Sequence, residues 1–478
     1  MVASRPLRVE ELAELLAFDF TAGPIPKFHE DLRLEDPVDA VLSVCSSLLA
    51  VVDVEGSPVI QFSHFSVKEF LTSTRLAEAS DINHRRYHVS MTPAHTLASQ
   101  ACLGTLLHLD KDIITHDSLE DYRLAEYAAM YWVDHARFEE VSQNVEDGMK
   151  QLFEPSKPHL TVCIWIHNPE HPWLIRDKRP PPTLESPLHF AAFWGLHSIV
   201  HFLVIEHSQD VCSRNFTDNV TPLHLASKYG HKQVACFLLE HGAYVSAQDD
   251  GGKTPLHLAL RMGHIDVAYM LIERGADVSS QDGYRDSPLH LALEKGHIDV
   301  TYMLIERGAD ISAQSKYRGT PLHLALQMGH TDVAYMLIER GADVLDQDEH
   351  GYSPLRLASQ MGHIDVANML IERGADVLDQ DKHGYSPLHL ASQMGHIDVV
   401  YTLIERGADL SAQDHRGRSP LHLASQEGHI DVAKILIERG ADLSAQDIHG
   451  YPPVHLALTG GHIRVVDMLI GRGAYLLA

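Results

Sequence analysis

The sequence predicts a mostly α-helical fold: a long solenoid of about nine stacked repeats, preceded by a small helical domain. Three observations predict it. A phrase of Thr- or Ser-Pro-Leu-His, then Leu-Ala, Gly-His and Gly-Ala-Asp, returns every 33 residues, starting at Thr221, Thr254, Ser287, Thr320, Ser353, Ser386 and Ser419. An earlier copy opens at Ser186 and a drifted one at Pro452. Every copy but the drifted one begins with a capping residue and a proline, the chemistry of a helix start. Ahead of the repeats the apolar spacing is helical, with one short hairpin. A fixed period of this length means units that bury their apolar faces only against their neighbours. Such a stack presents one extended surface, which points to recognition rather than catalysis.

Along the chain, Val9, Leu12, Leu15 and Leu16 fall on one helical face, with Glu10 and Glu11 where a helix N-terminus favours negative charge. Asp36-Pro37 reads as an N-cap and first helical position, opening a helix to about Leu49. Val51–Val54 and Val59–Phe62, joined by Glu55-Gly56-Ser57, read as a hairpin. Ser66 to Glu69 has capping-box spacing and starts another helix. Helix, helix, hairpin, helix is the order of a winged-helix-like segment, placed at residues 1–80. A helical segment follows at 81–153, with starts at Thr92-Pro93 and near Ser118, the second carrying Leu124, Tyr127, Ala128, Tyr131 and Trp132. Seven prolines between Glu154 and Thr183 mark 154–183 as a stiff, extended joint. The repeats occupy 184–478.

Composition narrows the class. The formal net charge is −27 and both halves are acidic. Such a field repels nucleic acid and anionic membranes and favours a protein partner with a basic surface. Five cysteines, Cys45, Cys102, Cys163, Cys212 and Cys236, are widely spaced with no Cys-x-x-Cys, which fits a reducing compartment and no zinc site. The N-terminus is no signal peptide, and the most apolar stretch, Ala40–Val52, is too short to span a bilayer. The expectation is a cytoplasmic, soluble, non-enzymatic protein with no cofactor and no metal.

Arg5-Pro-Leu-Arg-Val-Glu-Glu-Leu-Ala-Glu14, Leu42-Ser-Val-Cys-Ser-Ser-Leu48 and Gln61-Phe-Ser-His-Phe-Ser-Val-Lys-Glu-Phe-Leu71 resemble the segment after the NTPase module in fungal NACHT–ankyrin proteins, which are STAND-type signalling receptors. The resemblance extends through Tyr127–Phe138 and Phe153–His159. It implies a nucleotide-binding core, a winged helix that helps hold the resting state, and repeats that sense or dock a partner. A P-loop needs Gly-x-x-x-x-Gly-Lys-Ser/Thr to cradle phosphates. The only Gly-Lys-Thr is Gly252-Lys253-Thr254, and the position five before Gly252 is Ala247. Gly252 reads instead as a turn glycine. The resemblance thus implies a receptor whose NTPase this chain does not carry, as a truncated product or a half-receptor. It also makes His64 a weak cofactor-binding candidate, since the matching histidine in related receptors contacts ADP phosphates. Helix capping or packing in the wing is the reading preferred for His64.

The phrase from Asp381 to Asp409 resembles an ankyrin repeat throughout. His224, His257, His290, His323, His389 and His422 follow Pro-Leu, and His264 to His462 follow Gly at the same period. The resemblance implies that these histidines hydrogen-bond turns between adjacent units. A dispersed array of this kind cannot converge on a metal. Arg356 replaces one of them, which suggests tolerance.

Where near-copies differ, the fold imposes little. Tyr284, Tyr317, His350, Tyr352, Lys382, His383, Tyr385, His415, Arg416 and Arg418 vary at the turn tips. Eight residues after each tetrad start stand Trp194, Tyr229, Met262, Lys295, Met328, Met361, Met394, Glu427 and Gly460. In ankyrin stacks these positions line the fingers and the concave groove, and aromatic and Met side chains there suit hot spots. The Met column alternatively packs between units. A further column, Tyr269, Tyr302, Tyr335, Asn368 and Tyr401, reads as half-buried packing rather than a second contact face. His167-Asn-Pro-Glu-His171 matches an inverted zinc-protease pattern, but Pro169 and Pro172 break the helix it needs.

Overall fold

The computed structural model describes residues 7–15, 17–21, 23, 25–29, 49–54, 57–62, 90–109, 114–115, 118–138, 140–169 and 186–475. They fall into two compact units, 1–216 and 217–478.

In the first unit, α1 (Val9–Leu15) buries Val9, Glu11, Ala13 and Glu14, not the expected Leu12 and Leu15. Hydrogen bonds account for the rotated face. The Glu11 carboxylate accepts the Arg8 amide at 2.7 Å, and the Glu14 carboxylate accepts the Leu124 amide. Buried carboxylates persist where donors satisfy them. A two-residue pair, β1 (Phe18–Asp19) and β2 (Lys27–Phe28), is antiparallel. The expected hairpin is present as β3 (Leu49–Val54) and β4 (Ser57–Phe62), with Val54 opposite Ser57. The helices expected from Asp36 and from Ser66, together with His64, lie outside the described residues.

Next come α2 (Met91–His108), a 3-10 turn (Ser118–Asp121), α3 (Ala125–Ala136), α4 (Val141–Asn144), α5 (Glu146–Phe153) and α6 (His159–Ile166). Helix α6 corrects the expectation of an extended stretch over 154–183 at residues 159–166, whereas 170–185, with Pro172 and Pro180 to Pro182, lie outside the described residues. Its eight residues contain no proline, Pro158 is its N-cap, and Pro169 lies three residues beyond its end. The prolines therefore bound this helix rather than preclude it. Two further helices, α7 (Pro187–Phe193) and α8 (His197–His201), form the first repeat, α8 running on into a π-turn over Phe202–Glu206.

The second unit contains eight helix pairs among its described residues, from Pro222–Lys228 with Lys232–Glu240 to Pro453–Thr459 with Ile463–Gly471. In the Thr254 repeat the capping residue is extended (φ −94°, ψ 166°), Pro255 follows at the first helical position, and Leu256, Ala259, Leu260, Val267, Ala268 and Leu271 are buried. Asp266 occupies the first turn of the second helix, where the helix dipole favours an anion. The copies opening at Ser287, Thr320, Ser353, Ser386 and Ser419 follow this plan, and each packs its apolar face on the next copy. Gly252, in the apparent P-loop remnant, has φ +70° and supplies a left-handed turn residue.

Candidate functional site

The turn tips are built on aspartates. Asp348 Oδ1 accepts the amides of His350 and Tyr352, Asp381 Oδ1 those of His383 and Tyr385, and Asp414 Oδ1 those of Arg416 and Arg418, all at 2.8–2.9 Å. One carboxylate thus holds two successive donors and fixes a tight turn. Neighbouring tips are tied by backbone bonds, Lys316 N to Tyr284 O, His415 N to His383 O and Ile448 N to Arg416 O, each 2.9 Å.

On this frame the candidate residues separate. Tyr284 and Tyr317 are 51% and 54% exposed, with ring centroids 6.2 Å apart, and Lys316 Nζ lies 5.2 Å from the Tyr317 ring. Met262, Met328, Met361 and Met394 are 42–51% exposed. His350, His383, His415 and Arg416 are exposed, and the His383 and His415 rings sit edge to face at 6.1 Å. Tyr229 is half-buried, with Lys228 Nζ 5.1 Å from its ring. Tyr352 is half-buried with the Arg356 guanidinium 4.5 Å from its ring.

Arg418 and Trp194 lie inside. Arg418 donates to Asp414 Oδ2 at 2.8–2.9 Å, to Gln426 at 3.2 Å and to the Tyr385 hydroxyl. Burial raises the half-buried Tyr385 phenol above its ordinary pKa. Trp194, 7% exposed, meets Trp132 at 5.4 Å and Phe153 at 6.1 Å, both edge to face. In the outer column Tyr269, Tyr302 and Tyr335 are half-buried as expected, whereas Tyr401 is exposed with the Arg439 guanidinium 5.0 Å from its ring.

His257, His290, His323, His389 and His422, each after Pro-Leu, engage both ring nitrogens. In the Thr254 repeat His257 Nδ1 accepts the Thr254 amide at 3.2 Å and lies 2.8 Å from its hydroxyl, while Nε2 donates to Asp286 O of the next unit at 3.1 Å. The same pattern carries His290 to Gly319 O, His323 to Tyr352 O, His389 to Arg418 O and His422 to Tyr451 O. Because a carbonyl only accepts, Nε2 holds the proton and Nδ1 is bare. Burial pushes the pKa of His257, His290, His323, His389 and His422 below the usual histidine range. The histidines after Gly tie the other way: His330, His363, His396 and His429 donate to carbonyls of the preceding unit at 2.9–3.1 Å.

Arg356 is more than a tolerated replacement. It is fully buried, donates to Gly351 O, and pairs with Asp381 of the next unit at 2.7 Å. Sequence reasoning also missed a buried chain in the first unit. His95 Nδ1 lies 2.9 Å from His135 Nδ1, and His135 Nε2 lies 2.9 Å from the Tyr127 hydroxyl. Burial, with the neighbouring His95, lowers His135 to about 4. His135 and Tyr127 are eight residues apart on α3, but nothing in the sequence marks His95 as their partner. Among the described residues, no three His, Cys, Asp or Glu side chains converge as metal ligands.

A family model of ankyrin repeats, each match spanning about three copies, covers residues 188–282, 248–315, 289–381, 346–414 and 388–477. The chain is an ankyrin-repeat protein. A relative in Monascus ruber, the azaphilone pigments biosynthesis cluster protein L, is 27% identical over 263 residues, 51% of this chain and 54% of that protein. Alpha-latrocrustotoxin-Lt1a of Latrodectus tredecimguttatus is 38% identical over 81 residues, 16% of this chain and 6% of the toxin. This ankyrin-repeat chain thus spans about half the length of the Monascus protein and a small part of the toxin. Among the described residues, no helix is long and apolar enough to cross a membrane.

Proposed function

We propose that this ankyrin-repeat protein is a non-enzymatic docking arm that binds a protein partner. The observation that carries the reading is the exposure of Tyr284, Tyr317 and the Met262–Met394 column at positions where near-identical repeats differ. Large aromatic and thioether side chains held half in solvent on a regular scaffold are suited to anchoring a partner. His350, His383, His415 and Arg416 extend that edge. Tyr229, Tyr352 and Tyr385 flank it, while Arg418 supports it from within. The net charge of −27 favours a partner with a basic surface, and the five widely spaced cysteines without a Cys-x-x-Cys fit a reducing, cytoplasmic setting.

The resemblance of residues 5–175 to the post-NACHT segment supports a finer reading. In it, residues 1–80 are a winged-helix-like regulatory remnant, 81–153 a helical segment and 184–478 the sensing arm of a STAND-type signalling protein. The second reading is a piece of a NACHT NTPase receptor, with His64 facing a nucleotide core encoded elsewhere. Finding NACHT-coding sequence upstream in the same transcript decides for it. For docking itself, the test is crosslinking in the source cell followed by direct titration of the recovered partner against the full chain. The Tyr284→Ala/Tyr317→Ala and Met328→Ala/Met361→Ala variants are expected to lose about tenfold or more in affinity. Equal binding by all three proteins sinks the reading.

A further inference from the structure

Within residues 217–475 a position that departs in two adjacent copies, on an unchanged backbone, marks something the fold does not require. Two residues after the Gly-Ala-Asp aspartate stand Ser279, Ser312, Ser411 and Ser444, but Leu345 and Leu378 in the Thr320 and Ser353 repeats. The next position holds Ser280, Ala313, Ala412 and Ala445, but Asp346 and Asp379. The turn itself is the same. The amides of Ser279 and Ser312 reach the preceding aspartate at 2.9 Å, and those of Ser411, Ser444, Leu345 and Leu378 at 2.8 Å.

The departures cost the fold something. Ser279 Oγ accepts the Asp310 amide of the next unit at 3.1 Å, a tie leucine cannot make. Leu345 and Leu378 are instead 59% and 54% exposed. Ser280 and Ala313 are buried and Ala412 and Ala445 half-buried, and Asp346 and Asp379, themselves half-buried, put carboxylates where these small side chains sit. Asp379 Oδ1 accepts Gln347 Nε2 at 3.3 Å, while Oδ2 is shielded from solvent and meets no donor among the described residues. A shielded carboxylate oxygen without a hydrogen-bond donor is unfavourable, and the nearby charge acting on it is the Arg356 guanidinium, whose direct partner is Asp381. Asp343, Asp348, Glu349, Asp376 and Asp381 flank the four residues in sequence. The one cation in the sequence of these turns is Lys382, and Arg356, on the helix between them, pairs with Asp381 and also feels the Asp379 charge.

We propose that the turns over 343–349 and 376–382 form one docking site for an extended, basic and apolar segment of a partner protein. The proposal deepens the docking reading by placing its basic-partner contact at residues outside the aromatic and Met edge. Leu345 and Leu378 receive apolar side chains, and Asp346 and Asp379 receive the ammonium or guanidinium beside them. Stacked helices lie about 8–10 Å apart, and three residues of extended chain span about 10 Å. The recognised segment therefore carries an apolar–basic pair at roughly every third residue. Acidic segments are repelled.

The test pans a random dodecapeptide phage library on the full chain and on a variant with both turns returned to their neighbours' sequence (L345S, D346A, L378S, D379A). Because Ser411-Ala412 occupies the same turn, the variant is expected to melt at the same temperature or higher. Peptides enriched on the parent are expected to place Lys or Arg beside apolar residues. By fluorescence anisotropy, the best of them is expected to bind the variant about tenfold or more weakly, and to weaken at about 0.5 M NaCl. No enrichment, acidic or uncharged winners, equal binding to both proteins, or a variant that melts lower overturns the proposal. If the same peptide is lost on Y284A/Y317A or M328A/M361A but kept on the turn variant, the edge reading stands and this site falls. Loss on the turn variant alone places the contact at these two turns and not at the edge.

Discussion

Arg356 shows how a single residue can replace a scaffold interaction with one of a different kind. In the other complete copies a neutral histidine joins its own cap to the next unit's backbone; here a buried guanidinium joins Gly351 O to the Asp381 carboxylate. The Ser353 hydroxyl, which would meet the histidine, has no hydrogen-bond partner among the described residues. Removing one member of a buried ion pair leaves the other charge stranded and typically costs about 3–5 kcal/mol. Arg356→Ala is therefore expected to lower the urea midpoint strongly. Arg356→His restores the capping box and is expected to be neutral or stabilising by up to ~1 kcal/mol. A His variant as damaged as the Ala variant would show that the ion pair is required for its own sake. Gly395 makes the complementary case for the backbone. Its φ is +79°, and an added Cβ would stand 2.6 Å from His429 Nδ1. Gly395→Ala must both strain the turn and push His429 off the Gln393 carbonyl, so a loss of about 2 kcal/mol or more is expected by urea titration.

The repeats that open at Thr221, Thr254, Ser287, Thr320, Ser386 and Ser419 owe their start to Thr or Ser, Pro and His acting together, and that dependence has a pH signature. His257, His290, His323, His389 and His422 are held neutral, with pKa values below the unfolded-state value of about 6.5. Below that pH the unfolded chain binds protons that the folded chain refuses. Stability is therefore full above about pH 6.5 and falls as the solution is acidified toward the folded-state values. Each histidine adds up to about 1.4 kcal/mol per pH unit of slope. Urea midpoints at about pH 7.5, 6.5 and 5.5 are expected to decline, and His389→Gln is expected to flatten the decline. These repeat starts were legible in the sequence because Ser-Pro-Leu-His fixes cap, first turn and ligand to the next unit within four residues. The buried face of α1 was not, because Glu11 and Glu14 are buried by amides of Arg8 and the distant Leu124. Nor was the fate of Trp194, whose place in an aromatic cluster depends on Trp132 and Phe153. Trp194→Ala is expected to destabilise the first unit by about 3–5 kcal/mol, read from the loss of its near-ultraviolet signal on melting.

At the scale of the whole molecule, two electrostatic effects oppose one another. Glu–Arg pairs link successive second helices, Arg274 to Glu240 and Arg472 to Glu438 at 3.2 Å and Arg406 to Glu372 at 3.5 Å. They recur with the repeat, so they are easily mistaken for its glue. Their side chains are well exposed, and pairs of that kind contribute about 0–1 kcal/mol each. Against them stands a net charge of −27 spread along both halves of the chain, which repels itself whenever the chain is compact. Salt weakens both effects, with a screening length of about 10 Å at 0.1 M. If the pairs held the stack together, salt would lower its melting temperature. Self-repulsion acts among many more charges than the pairs neutralise, so screening it should prevail. The melting temperature at pH 7.5 is therefore expected to rise by a few degrees between about 0.02 and 0.5 M NaCl. A fall over that range would instead assign the Glu–Arg ladder a stabilising role larger than exposed pairs ordinarily have.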